Sequence, residues 1–366
     1  MKLTNHFVAG TLLSAALWAT PLLAADFSGG SKGNGEAPRG GITDQDFSLR
    51  EATPLLPKVE KGEAERAAPI TDEDEVIKAL TAVGRSADGK DLKVEPSDAL
   101  KEAVKKMLNA PAGGGASGTS AQRKAADPIF RRGEASRKVF GDDDRVEVDD
   151  TTAYPYSAIG YLESKDTSGK YESCSATLIG PSTVLTAAHC LYNHNTGAWQ
   201  DQMRFVPGLH GWTNDDVPFG SYEYEQAYVV QGYIDNYQGF YGSVLSWDLG
   251  IVTLKEPIGD KLGWLGYANY EDLGEFTANI VGYPGDKPSG TMWATTCDVS
   301  PEDIGDGWFQ YDCDTYPGSS GSAVYSYSED DDERVILGVN VAESDDANTA
   351  VRINAVYLDW INSINK

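Results

Sequence analysis

A chain of 366 residues is long enough for two domains with further segments attached. Its formal net charge of −26 is unevenly placed: residues 1–137 hold 19 basic and 19 acidic side chains, and residues 138–366 hold 11 basic and 37 acidic. A C-terminal surface of that sign repels phosphate backbones, which excludes nucleic acid as a partner; it attracts cationic groups or reflects a solubility adaptation.

In chain order, the first predicted element is a secretory signal peptide over residues 1–25. Lys2 supplies the positive start, and Phe7 to Ala25 is an apolar run ending in small residues, with cleavage expected after Ala24 or Ala25. The run is short for a membrane span and is broken by Thr20-Pro21, and no other segment approaches membrane length. Export without a membrane partner, to an extracellular or periplasmic location, follows as the expectation.

Residues 26–137 read as a mostly flexible propeptide, with a mere linker as the competing reading. The stretches "SGGSKGNGEAPRGG" and "APAGGGASGTSAQRKAAD" carry too few large apolar residues to bury much core. Two short helices are predicted between them. One covers 71–84, with Thr71 as N-cap and Gly84 at its end; the other covers 96–110, with Ser97 as cap and lysines late. "FRRGEASRKVFGDDDR" then switches from basic to acidic around Lys138. An exposed basic cluster is where a processing protease cuts, which puts the mature N-terminus at Lys138 or Val139.

From residue 138 the pattern is all-β, with short alternating or apolar runs separated by Gly, Pro, Asn and Asp; examples are "SATLIG", "LGIVTL", "TANIVGY" and "RVILGVNV". Only the last dozen residues predict a helix, with Val356, Trp360, Ile361 and Ile364 on one face. The four cysteines fit an oxidising compartment. Cys174 and Cys190 are 16 apart, as are Cys297 and Cys313, so sequential pairing is preferred among the three connectivities. Loops of that size are worth about 3 kcal/mol each in the chain-entropy model. A zinc site competes for these cysteines but lacks CxxC spacing, and no metal is assigned.

Three residue types in this β region compose one chemistry. His189 follows an apolar strand and the small Ala187 and Ala188. Asp248 heads the apolar run "LGIVTL", where a carboxylate needs a donor such as an imidazole N–H; Asp235 and Asp260 open no such strand. Ser320 lies in "PGSSGSAV", flanked by Gly318 and Gly321. A serine hydroxyl needs a base to attack a carbonyl, histidine can take and return that proton, and a buried aspartate holds the imidazole in the right tautomer. Gly318 allows the turn that aims its N–H, together with that of Ser320, at one point, which is an oxyanion hole. No cofactor is required. The order His–Asp–Ser in an all-β chain is that of the chymotrypsin arrangement.

The stretch 138–366 resembles the glutamyl endopeptidase branch of the chymotrypsin-fold serine proteases, the V8-like and Bacillus-type enzymes. "DDDRVEVDDTTAYPYSAI", "CSATLIGPSTVLTAAHC", "DLGIVTLKEPIGDKLGWLGY", "VGYPGDKPSG" and "DTYPGSSGS" carry the resemblance. It implies a secreted zymogen acting on protein or peptide substrates, with two six-stranded β-barrels, over about residues 138–255 and 256–366, and a cleft between them holding His189, Asp248 and Ser320. It also implies a Cys174–Cys190 disulfide tethering the histidine loop. In the family, a histidine in the strand after the nucleophile holds acidic substrates; here that position is Asn340, while Thr315 matches the family's threonine in the same pocket. Glu343, Asp345 and Asp346 follow near the expected pocket mouth. The pocket residues thus favour a basic or mixed preference over the family's Glu or Asp. Ser319 is uncharged and so provides no partner for a new N-terminal amine, as in the V8-like branch. Competing readings of the same constellation are an inactive homologue that only binds protein, and an esterase.

Overall fold

The computed structural model describes residues 26–33, 52–60, 62–67, 70–109, 126–127 and 143–366. The expected signal peptide and the junction around Lys138 lie outside them. Among the described residues no helix is long and apolar enough to cross a membrane.

The architecture is the expected chymotrypsin-like one, mostly sheet, with extra strands attached. In the N-terminal half, the strands Ile159–Lys165, Tyr171–Leu178, Thr183–Thr186, Gly250–Leu254, Tyr222–Val230 and Gln202–Pro207 pair in that order, all antiparallel, and the last pairs back onto the first. The ring is a closed six-stranded barrel, which leaves no free edge between its own strands. Its interior is filled by side chains such as Leu162, Leu178, Val184, Phe205 and Ile251, all buried. Gly160 is required where Phe205 crosses it, since a Cβ there would lie 2.4 Å from the ring.

In the C-terminal half, Trp293–Val299, Phe276–Gly282, Ala323–Ser328, Glu333–Glu343, Asn348–Arg352 and Trp308–Tyr311 pair in that order; among the described residues no strand pairing joins the last to the first, so this barrel is left open where a second closed one was expected. The Cys297–Cys313 disulfide ties the first of these strands to the segment just after the last. Gly266–Asn269 adds to Glu333–Glu343 in parallel. The predicted C-terminal helix spans Ala355–Ile364, capped by the Asn354 side chain, which accepts from the N–H of Tyr357. Val356, Trp360 and Ile361 are buried as the pattern requires.

The segments before residue 128 are built into this frame more fully than their composition suggests. Asp26–Ser28 pairs with Gly266–Asn269. Ala82–Ser86 lies antiparallel to Tyr222–Val230, and Asp91–Val94 extends the sheet by one more strand. The first predicted helix is correspondingly shorter: it spans Glu73–Ala79, capped by Asp72 rather than Thr71, and "AVG" at its expected end is strand. The second spans Asp98–Asn109, with the Ser97 hydroxyl accepting from Leu100 N–H at 3.0 Å. Val76, Leu80, Leu100 and Val104 are buried in the same core as the N-terminal barrel and the C-terminal helix. The few apolar residues of this region suffice because they share one side, and because the backbone finds its hydrogen bonds on an existing sheet rather than in a core of its own.

Asp127 is a further anchor. It is fully buried in the C-terminal half, and its carboxylate accepts from Arg334 Nε at 2.5 Å and Nη2 at 3.0 Å. Its N–H donates to Asn279 Oδ1 at 2.9 Å. Arg334 is itself almost fully buried and stacks over the rings of Tyr154 and Tyr327. Removing one member of such a pair strands the other charge, at a cost of about 3–5 kcal/mol. Asp127→Ala is therefore expected to lower the stability of the unprocessed chain by about 3 kcal/mol, at the low end because Arg334 keeps its bonds to Asp332. Urea unfolding of the two proteins at pH 7 measures it.

Candidate active site

His189 sits in a short 3₁₀ turn, Ala188–Cys190, directly after the strand Thr183–Thr186. The Cys174–Cys190 disulfide, with Cα atoms 6.2 Å apart, fastens that turn to the strand Tyr171–Leu178. Asp248 comes at the end of the turn Tyr241–Trp247, just before Gly250–Leu254 pairs with Thr183–Thr186. The pairing of those two strands thus brings histidine and aspartate together across 59 residues of sequence. Asp248 is fully buried. Its Oδ2 is 2.6 Å from His189 Nδ1, and its Oδ1 accepts from the His189 backbone N–H at 2.8 Å. Two donors from one residue offset the desolvation of the carboxylate and fix the ring, leaving Nε2 to face elsewhere. Both His189 Nε2 and Ser320 Oγ are buried and without a hydrogen-bond partner.

Ser320 is held by the backbone around it. Gly318 and Gly321 have φ of +106° and +82°, and a Cβ on either would collide, at 2.3 Å with Tyr283 O and at 2.2 Å with Ser175 O. Ser175 clamps this turn from three sides: its hydroxyl donates to Gly318 O at 2.9 Å and accepts from Tyr283 N–H at 2.9 Å, and its N–H donates to Ser320 O at 2.7 Å. The Gly318 N–H shares its peptide plane with the Pro317 carbonyl, which accepts from Gly285 N–H at 2.7 Å, and so held it donates to Leu55 O at 2.7 Å. An amide donor next to a serine residue, together with a buried histidine–aspartate pair, is the set of groups that acyl transfer requires.

The residues expected in the primary pocket divide. Thr315 is buried and its Oγ1 has no partner. Asn340 lies behind the nucleophile loop, fully buried, with both amide atoms occupied: Oδ1 accepts from Tyr311 OH at 2.5 Å, and Nδ2 donates to Ser319 O at 3.0 Å. Next to Thr315, the buried Asp314 carboxylate accepts from the Asp144 N–H at 3.0 Å, and Thr295 donates to Asp144 Oδ1. Burial, and then the neighbouring Asp314 carboxyl, push the Asp144 carboxyl up to about 6. Glu343, at the end of its strand, is raised by burial and lies 3.9 Å from Lys58 Nζ.

Four participants in this geometry were not singled out from the sequence. Ser175 follows Cys174 in a segment that carries the family resemblance, so a signal was present. Tyr241, whose hydroxyl is 3.3 Å from His189 Nδ1 and 3.3 Å from Val341 O, lies in a run with no periodicity to mark it. Leu55 and the Asp144–Asp314 pair meet their partners only through long-range packing.

One trio of potential metal ligands occurs among the described residues: Cys174, His189 and Cys190. It does not suit a metal, because both sulfurs are joined in the disulfide and His189 Nδ1 is engaged by Asp248.

Comparison with known proteins fits this geometry. The family described as trypsin-like peptidase domain matches residues 174–335. The chain is also similar to glutamyl endopeptidases. It is 36% identical over 193 residues to the glutamyl endopeptidase of Bacillus licheniformis, covering 52% of this chain and 56% of the relative. It is 31% identical over 218 residues to a Bacillus subtilis protein named extracellular metalloprotease, covering 58% of this chain and 66% of that one. A solved Glu endopeptidase structure, in complex with MPD, superposes with a TM-score of 0.52 at 28% identity over 62% of this chain and 98% of its own. The chain therefore spans between about half and two thirds of the length of these curated relatives.

The Asp144–Asp314 contact yields a pH signature. A carboxyl held at about 6 when folded, against an ordinary 3.8, binds its proton more tightly in the folded protein. Stability is then greatest below the unfolded value and falls as pH rises from about 4 to 6. Asp144→Asn is expected to raise the melting temperature at pH 8 and to leave it nearly unchanged at pH 4, as scanning calorimetry at the two pH values would read directly.

Proposed function

We propose that this chain is a secreted serine endopeptidase, made as a zymogen and processed near Lys138, which cleaves peptide bonds through an acyl-enzyme. The observation that carries the reading is the buried pair of His189 and Asp248, joined by two hydrogen bonds, together with a strained serine turn whose Gly318 N–H donates to Leu55 O. Ser320 Oγ attacks the scissile carbonyl while His189 Nε2 takes its proton. The tetrahedral oxyanion accepts from the N–H groups of Gly318 and Ser320. As the carbon–nitrogen bond breaks, His189 gives the proton to the leaving amine. Water then repeats the cycle on the ester, protonating Ser320 again, and Asp248 stabilises the imidazolium in both halves. Nε2 and Oγ are both buried without a hydrogen-bond partner, which leaves each able to engage a reacting group.

Ser320→Ala is expected to lower kcat on the order of 10⁶-fold without unfolding the protein, and His189→Ala to cost about as much, with little added in the double variant. Peptide hydrolysis alongside circular dichroism tests it; retention of more than about one percent of activity by Ser320→Ala would assign the nucleophile elsewhere.

On primary specificity, the pocket supports a loosened glutamate preference, with basic or mixed side chains favoured over acidic ones. Asn340 brings no positive charge and its amide is already engaged, the Asp314 carboxyl, which precedes Thr315 in sequence, accepts from the Asp144 N–H, and Thr315 Oγ1 is a buried polar atom without a partner. A buried substrate carboxylate without a cation is costly to desolvate, and a shortfall of about 3 kcal/mol already exceeds a hundredfold in kcat/KM. The amine of a new N-terminus is the one group that would reverse this balance. On matched peptides with Glu, Lys or Phe before the scissile bond, the Glu peptide is expected to lead by less than about a hundredfold in kcat/KM. A larger lead would restore the family preference.

A further inference from the structure

The cleft is occupied by the chain's own N-terminal region. Thr53 and Pro54 pair in parallel with Glu172 and Ser173 on the N-terminal barrel, and Leu55 N–H donates to Ser173 O at 2.9 Å. Leu55 O then accepts from Gly318 N–H at 2.7 Å. Beyond it, Pro57 O accepts from Glu343 N–H at 3.0 Å and Val59 N–H donates to Glu343 O at 2.9 Å, a parallel bridge to the C-terminal barrel centred on Lys58. Pro54 packs so closely that a Cβ on Gly285 would lie 2.2 Å from its ring. The far end is pinned by Glu63, which is almost fully buried and accepts from Gly242 N–H at 3.0 Å.

Direction decides what this strap does. The proton for the leaving amine comes from His189, on the N-terminal barrel. The part of a substrate that follows the scissile bond must therefore run toward that barrel, and the part that precedes it toward the C-terminal barrel. Residues 53–59 run the other way: the residues before Leu55 lie on the N-terminal barrel and those after it on the C-terminal barrel. The Leu55 carbonyl occupies the oxyanion donor, with the chain on either side of it running opposite to a substrate.

Resting on the endopeptidase reading above, we infer that residues 53–60 are an inhibitory strap threaded through the substrate cleft against the productive direction. It blocks the oxyanion site without being cut. A cut near Lys138 does not by itself release it. The strap is continuous with strands and helices that pair with the N-terminal barrel, and Asp127 remains anchored on Arg334 upstream of the cut. The nicked protein is a latent two-chain complex, and activity appears when the N-terminal chain is removed.

The test is the rate at which a small fluorophosphonate labels Ser320 in the full chain. Unaltered protein, Val59→Pro, which removes the N–H donated to Glu343, and a variant with residues 53–60 replaced by Gly and Ser are compared. Both variants are expected to label at least ten times faster than the unaltered chain. A measurement without mutation guards against misfolded variants: the unaltered chain is nicked by trypsin in its Arg131–Arg137 cluster and labelled before and after the N-terminal chain is stripped away. Labelling is expected to stay slow after nicking and to rise at least tenfold on stripping. Equal rates before and after stripping, or in the full chain and its variants, would overturn the strap. If the stripped enzyme does not label either, the endopeptidase reading itself falls and the strap falls with it.

Discussion

The arrangement turns on one buried carboxylate. Asp248 has no access to water, and an isolated charge there would be untenable; both of its donors come from His189. Meeting that requirement fixes much else. The histidine turn must sit against the aspartate turn, which the pairing of Thr183–Thr186 with Gly250–Leu254 ensures, and it must not drift, which the Cys174–Cys190 disulfide prevents. With Nδ1 committed to the carboxylate, the other ring nitrogen is left to face the cleft, where a base is useful.

The second half of the site obeys a backbone rule rather than an electrostatic one. Gly318 and Gly321 hold conformations that a side chain would strain, and each is hemmed in by backbone atoms that cannot yield. Ser175, rooted in the N-terminal barrel, reaches across to hold the C-terminal half's serine turn through two hydrogen bonds and accepts a third from Tyr283 N–H. The donor face of Gly318 is set through the preceding carbonyl, Pro317 O, which accepts from Gly285 N–H, while Ser175 holds the peptides that follow.

The N-terminal region shows how a segment poor in apolar residues can still be ordered. It borrows sheet edges, lends four buried apolar residues to the existing core, and places one carboxylate on a buried arginine. Each contact depends on a surface that the two barrels already supply. Those contacts include the cleft itself, so the same docking that orders the segment also covers the site.

By itself the sequence marked out the candidate residues and the fold class. The residues His189, Asp248 and Ser320, their order, the two glycines around the serine, the β texture after residue 138, the cysteine spacing and the C-terminal helix are all local signals, because strand periodicity, turn chemistry and capping act over a few neighbours. Tertiary structure decided what depends on approach between distant segments. It turned Asn340 inward onto Tyr311 and Ser319, set Asp144 beside Asp314, brought Ser175 to Gly318, and made strand of "AVG", where a helix pattern had favoured continuation. It also drew Leu55 to the oxyanion donor across more than 260 residues of chain. The free energy of such contacts comes from burial and hydrogen bonding between surfaces that do not exist until the barrels form, so no local pattern in the sequence encodes them.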